Sequence, residues 1–449
     1  MSYRHFLFLW TLLLYAFAAY SQDVISHDVA DEMNIANSLK GWNDLSLTTT
    51  AINPFTSFND SMNHEISLSG NGVLSSNSVN LAFSVAALRN KFIDDEQKHS
   101  VSDNLTSINS FEYNTGASIS YRVVSPKFLW QTPALLSLSL KVGSVQQSEF
   151  TSDLFNVVFF GNASYAGLTA DFSGSRDIKY DYRQVRVGVQ KKFFSHAAEW
   201  EAGVGLSFLS AKNGFEINLR NATLFTEQNG EYLDATYNFE YRQADTSNHG
   251  SLQTDGRGAS LDLLLSCTLP GGKSRLVFYA GDVGFISWNK QATLYTADTS
   301  LHFEGIEVVD FLQTSDTTLF QFNKDSLLNQ TSTTVKTSSY VSQFPMRLSF
   351  IYFHAFSNRW MTYAGMTYRP FTDLLPVFFI QPQYAFTSWL TGGCSIAYGG
   401  TSKFNLGLMA NVVADRHWSF RLASENVLGI FIPQQTTSTS LFLQALFNF

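Results

Sequence analysis

The chain has 449 residues, with 29 Lys and Arg against 37 Asp and Glu and a formal net charge of −8. That balance leaves no basic footprint, so nucleic acid is not an expected partner. Charged residues make up only 15% of the chain while Phe (40) and Tyr (19) are abundant, against the ~25% charged of soluble domains. Beyond the first 21 residues the longest strictly apolar runs are short, as in Pro376-Val-Phe-Phe-Ile380. Such a chain does not cross a bilayer as helices, each of which needs about 20 apolar residues. A closed β-barrel remains, because its lipid face needs only every second residue apolar.

At the start, Arg4 and His5 precede an apolar run from Phe6 to Ala19, and Ala19-Tyr20-Ser21 supplies small residues for cleavage before Gln22. Residues 1–21 are therefore expected to be a secretory signal peptide. Residues 22–63 are polar, with a turn at Asn53-Pro54-Phe55. His64 to Val73 reads as a further strand, with Ile66 and Leu68 against Ser67 and Ser69. Added to the barrel it would make the strand count odd. Residues 22–73 are thus expected to be an N-terminal segment, a periplasmic or luminal hatch, ahead of a transmembrane barrel at 74–449.

Period-two alternation then predicts strands at 78–87, 112–123, 134–145, 180–193, 198–211, 257–268, 274–287, 341–354, 358–369, 377–387, 390–399, 403–413, 417–427 and 440–449. The strand at 274–287 has room to continue outward towards 303. In the first, Val79, Leu81, Phe83 and Val85 share a face. In the third, Leu136, Leu138, Leu140 and Val142 oppose Ser137, Ser139, Lys141 and Gly143. The fold class expected is all-β: a transmembrane antiparallel barrel of about fourteen strands with short helices on its extracellular loops. Those helices are read at Thr151–Phe160 and Ile306–Leu312.

Loop length separates a membrane barrel from a soluble sandwich. Connections 88–111, 146–179, 212–256 and 288–340 are long and polar, whereas 194–197, 269–273, 355–357 and 414–416 are tight. Long extracellular loops against short periplasmic turns is the asymmetry of outer-membrane barrels. Three tight turns lead into Trp200, Trp360 and Trp418, which reads as an aromatic girdle at the periplasmic rim. His196, His354 and His417 beside them belong to different hairpins, so an interfacial role outweighs a metal cluster. Cys267 and Cys394 continue apolar alternations on separate strands and are expected to be free, lipid-facing thiols. At the end of the chain, Leu441, Leu443, Ala445, Phe447 and Phe449 form one face. A closing strand ending in Phe449 is the form expected to engage the barrel-insertion machinery.

Asp153-Leu-Phe-Asn-Val-Val-Phe-Phe-Gly-Asn162, Asp282-Val-Gly-Phe-Ile-Ser-Trp288, Phe303-Glu-Gly-Ile306 and Glu425-Asn-Val-Leu-Gly429 resemble landmarks of an uncharacterised Bacteroidota outer-membrane barrel family. That family is similar in layout to the fatty-acid-transporter-like barrels and to the PorV/PorP-like barrels of type IX secretion. The resemblance implies fourteen strands and a bacterial outer-membrane location, and it carries over no catalytic residue.

No enzyme motif stands out: there is no Gly-x-Ser-x-Gly, His-Glu-x-x-His, paired Cys-x-x-Cys or phosphate loop. Asp171, Asp177, Asp181, His249 and Asp255 lie in or beside polar loops, where solvation explains them. No catalytic, cofactor-binding or metal-binding residue is assigned, and no cofactor is expected. Inward positions mix both charge signs, including Lys141, Arg186, Lys192, Arg347, Arg421 and Glu425, and such residues can close a modest lumen by pairing. The expected function is a passive channel or transporter for a small or hydrophobic solute. The alternative is a non-transporting structural or partner barrel of an envelope or secretion complex. Expected partners are outer-membrane lipid and, in the alternative, the subunits of that complex.

Overall fold

The computed structural model describes residues 64–449 except 129–131, 196–197, 246, 248–249, 251–252, 305–332 and 371–374. The expected signal peptide, residues 22–63 of the expected hatch and the helix expected at 306–312 lie outside the described residues. Among the described residues nineteen strands form one sheet; five lie outside the ring and fourteen close it. The ring strands are β1 (His64–Ser76), β2 (Ile108–Phe128), β3 (Thr132–Thr151), β4 (Arg176–Ser195), β5 (Ala198–Thr226), β6 (Gly256–Thr268) and β7 (Ser274–Trp288). They continue as β8 (Arg347–Ala355), β9 (Trp360–Tyr368), β10 (Val377–Ala385), β11 (Leu390–Gly399), β12 (Lys403–Val413), β13 (Trp418–Ser424) and β14 (Ser438–Asn448). Every ring neighbour is antiparallel, and β1 pairs with both β2 and β14. Closure satisfies both edges of each strand, as a bilayer core requires.

The closing strand corrects the sequence reading. Residues 64–73 belong to the barrel wall, where Ile66 pairs with Phe447 and Tyr121, and Ser67 with Leu446 and Ser120. Residues 78–87 are not a strand: Leu81–Leu88 is a helix, α1, capped by the Asn80 side chain, which accepts from the Phe83 N–H at 2.9 Å. One strand is gained and one lost, so the ring stays even. The reason lies in what each segment meets. Val79 and Phe83 pack against Val101 and Phe155, and Leu81-Ala-Phe-Ser-Val-Ala-Ala-Leu88 combines good helix formers with an N-cap. Alternation over eight residues that include three Ala fits either period.

The other thirteen strands stand where the alternation places them, with one interruption. The stretch 341–354 splits into Val341–Gln343, which pairs with the upper part of β7, and β8. Two of the bulges in the wall contain a left-handed residue. Register shifts between Lys179 and Asp181, where Asn213 adopts φ 54°, and between Leu261 and Leu263, where Asp282 adopts φ 56°. A bulge adds a residue to one strand, bends it and re-aims its side chains. Above Asn213, β5 keeps β4 on one side as far as Asn218 and on the other exchanges β6 for Leu233–Gln243, which pairs in turn with Thr293–Phe303. Residues 274–288 and 293–303 are therefore separate strands, and the connections 212–256 and 288–340 contribute a sheet that projects beyond the barrel. On it His302 bonds to Asp234 and Glu304, and those hydrogen bonds push its imidazole pKa up.

The loop asymmetry holds. At one end lie tight turns and the pairing of His64 with Phe449, whose N–H groups bond each other's carbonyls at 3.2 and 3.0 Å. At the other lie α1, α2 (Asp95–Ser102), α3 (Ser152–Phe160) and α4 (Leu428–Phe431); α3 is the helix expected from 151. Outward side chains such as Leu68, Leu140, Leu206, Phe378 and Ile396 are exposed. Around the short-turn end, Trp360 meets Tyr384, Trp418 meets Phe447 and Phe193 stacks on Trp200, forming the aromatic belt expected there. No described helix is long and apolar enough to cross a membrane.

Placing β1 in the wall gives an expected outcome. Ser67→Pro removes a ladder donor from a strand bonded on both sides, so the variant should fail to form the compact, heat-modifiable species of a closed barrel on gels. A hatch segment outside the wall would tolerate it.

Candidate functional site

The inner face begins with the side chains that alternate away from the apolar exterior. Across β1 to β4 the register aligns Ser67, Ser120, Ser139 and Arg186 in one row, and Ser69, Ser118, Lys141 and Gln184 in the next. These inward groups are almost wholly shielded from solvent: Arg122 and Asp262 are 1% exposed and Gln381 is 0%. Charges in such a place require partners, and the lumen supplies them along chords of the ring. Arg186 of β4 donates from Nε to Asp262 of β6 at 2.6 Å. Asp262 also accepts the Asp282 N–H at 2.8 Å. Asp282, turned inward by its bulge, accepts from Gln184 at 2.7 Å and faces Lys141 of β3 at 3.7 Å. Nearer the short turns, Arg275 and Gln190 both donate to Glu201, and Arg122 pairs with Glu65.

Two glycines make room for Arg186. A Cβ on Gly205 would overlap its guanidinium, and one on Gly188 would overlap the Ser137 hydroxyl and crowd the same guanidinium. Aromatic rings use the same device higher up, with Tyr182 lying over Gly143 and Trp288 over Gly214. Tyr180, Tyr182, Leu209, Ile286, Trp288 and Phe344 then form a buried layer near the long-loop end. On the opposite side the inner face carries an apolar cluster: Met361, Tyr363, Val377, Phe379 and Ala397 pack together.

One contact spans the lumen. Arg369, just beyond β9, donates from both Nη atoms to the Glu112 carboxylate of β2, at 2.8 and 3.1 Å. In a ring of fourteen, β2 and β9 stand opposite one another. Glu112 is buried, and a bidentate guanidinium–carboxylate pair fixes geometry as well as charge. Beneath Arg369 lies a polar recess of about 550 Å³, its wall including Thr367, Ser395, Asn405, Glu425, Asn426 and Ser438. A second recess of about 460 Å³ lies between the serine rows and Arg122, Lys141, Arg186, Asp262 and Asp282.

The inward residues named from sequence are placed as expected, and most of their partners are new. Besides Lys141 and Arg186, Lys192 pairs with Glu199 at 3.3 Å, Arg347 lies over the Tyr279 ring and Arg421 donates to Gln444 at 3.1 Å. The Glu425 N–H donates to Ser440. The sequence reading placed Glu201 and Asp262 on the inward face but missed Glu112, Arg369 and Asp282; an isolated charge on the small-residue face of a strand was the available signal. The loop acids are not brought together into one constellation. Asp177 accepts from Ser148, Asp181 from Asn213, Asp255 from the Asn213 N–H, and the Asp171 N–H donates to Asp153. His249 and His196 lie outside the described residues. His354 bonds Ser274 and His417 bonds the Asn448 carbonyl, and no described group of three or more His, Cys, Asp or Glu is set to hold a metal. Both cysteines are free; Cys394 is exposed on the outer face, while Cys267 is buried rather than open, beside its register partners Trp200 and Leu276.

Residues 62–417 match the model of a family of unknown function (DUF5723), and the chain belongs to that family. No curated relative matches the sequence. Among solved structures, the Pseudomonas putida toluene transporter TodX superimposes with a TM-score of 0.42 at 11% identity, covering 87% of this chain and 91% of that one. The Ralstonia pickettii toluene transporter TbuX gives 0.40 at 10%, covering 86% and 88%. A Pseudomonas aeruginosa FadL homologue gives 0.42 at 11%, covering 92% and 96%. Neither a Bacteroidota source nor the PorV-like resemblance follows from these matches.

The glycine groove is testable by itself. Gly205→Ala should displace the Arg186 guanidinium from Asp262 and lower stability in detergent denaturation by about 1–3 kcal/mol. Gly72→Ala, whose Cβ would meet Thr115 at an ordinary 3.8 Å, should be nearly silent.

Proposed function

We propose that this DUF5723 member is a bacterial outer-membrane barrel that passes a small solute along a lumen closed at rest. Its short turns would face the periplasm and its helices the exterior. The exposed apolar outer face and the aromatic belt support the membrane setting. The observation that carries the transport reading is the chord-spanning set of buried ion pairs beside two polar recesses. A barrel that only needed filling would gain stability from apolar side chains, since buried ion pairs rarely exceed them. Pairs that exchange partners with a passing polar group give such charges a use. The Arg369–Glu112 bridge would be the contact that holds opposite walls together at the mouth.

The burial of the inward side chains favours a second reading, a non-transporting structural or partner barrel of an envelope complex. Liposome flux separates the two. Wild-type protein should pass small hydrophilic solutes slowly. Glu112→Gln and Arg369→Gln should each raise the rate by at least about tenfold, the effect of shifting a closed–open equilibrium by 1.4 kcal/mol. Liposomes that stay solute-tight with all three proteins would overturn transport, and a stoichiometric envelope protein co-purifying in mild detergent would then support the partner reading.

A further inference from the structure

The recess beneath Arg369 has a composition that narrows its ligand. Its only charged groups among the described residues are Arg369 and Glu425; the rest of the wall is hydroxyl, amide, small apolar or glycine. The wall is partly pre-ordered. Asn426 donates from Nδ2 to Ser438 at 2.8 Å, Ser438 donates to the Asn405 amide oxygen at 2.8 Å, and Ser402 reaches the same oxygen at 2.9 Å. The Asn426 side-chain oxygen is nevertheless buried without a hydrogen-bond partner among the described residues. A buried acceptor left in that state is destabilising unless a donor arrives. The lining is far more polar than that of usual small-molecule sites, which suits a hydroxylated ligand rather than a hydrocarbon.

Arg369 belongs to two systems at once, since it lines this recess and grips Glu112 on the opposite wall. A carboxylate entering the recess presents the same two-oxygen fork that Glu112 offers. We propose that the recess binds a small hydroxylated carboxylate of the sugar-acid class, and that its carboxylate competes with Glu112 for Arg369. The ligand hydroxyls would donate to Asn426 and Glu425 and accept from the serine and threonine hydroxyls. Binding would then loosen the cross-lumen bridge, so the ligand itself would weaken the closed state. This deepens the transport reading and rests on it only for the consequence, not for the binding.

The experiment is calorimetric titration of the full chain in detergent with gluconate and with sorbitol, its uncharged polyol counterpart. Gluconate should bind about tenfold tighter than sorbitol. Glu112→Gln should tighten gluconate about tenfold further by removing the competing carboxylate, and leave sorbitol unchanged. Arg369→Gln should abolish the preference for gluconate. Equal binding of the two ligands, no binding of either, or a Glu112→Gln variant with unaltered gluconate affinity would each overturn the proposal. Heat-modifiable gel mobility of both variants excludes misfolding as the cause. Should gluconate bind as described while liposomes remain tight, the site stands and the transport reading fails; flux without gluconate binding gives the converse.

Discussion

A charge turned into a closed barrel has few places to go. The ring allows no retreat to bulk solvent along its flanks, so each inward Arg, Lys, Asp or Glu must meet an opposite charge, a hydrogen-bonding side chain or an aromatic ring within the lumen or leave a costly orphan. That constraint organises the interior of this protein. Arg186 reaches past β5 to Asp262, Arg275 past β6 to Glu201, and Arg369 to the far wall at Glu112. One bulge serves the same end, because the left-handed turn at Asp282 brings its carboxylate to Gln184 and Lys141.

Space is the second half of the problem. A guanidinium or an indole lying flat against the wall needs wall without side chains, and glycine supplies it at Gly188, Gly205 and Gly214. These glycines sit in extended strands, where the residue weakens the strand itself. Their presence on the inner face follows from what lies over them. The outer face has no such demand, and large apolar residues occupy it.

The two sides of the lumen differ in consequence. The β1–β7 side is polar and ion-paired, while the β8–β11 side packs Met361, Tyr363 and Phe379 against each other. A route through the barrel would run between a wall dense in ion pairs and a wall where an apolar cluster replaces most of them. Breaking a contact between the walls disturbs only the few residues that bridge them, which makes Arg369 and Glu112 the economical place for a change of state.

Thirteen of the ring strands, their faces, the sorting of loops by length and the tryptophan belt were legible in the sequence, because period-two alternation and turn chemistry are local. Part of the charged lumen, Lys141, Arg186 and Arg347 among them, was legible as inward residues for the same reason. Two things needed the tertiary structure. The choice between His64–Ser76 as wall and Leu81–Leu88 as helix depends on the free edges of β2 and β14 and on the contacts of Phe83 with Phe155, none of which is near in sequence. The pairing of the charges depends on position around the ring: Glu112 and Arg369 are 257 positions apart, and alternation says which way a side chain points but not what it meets there.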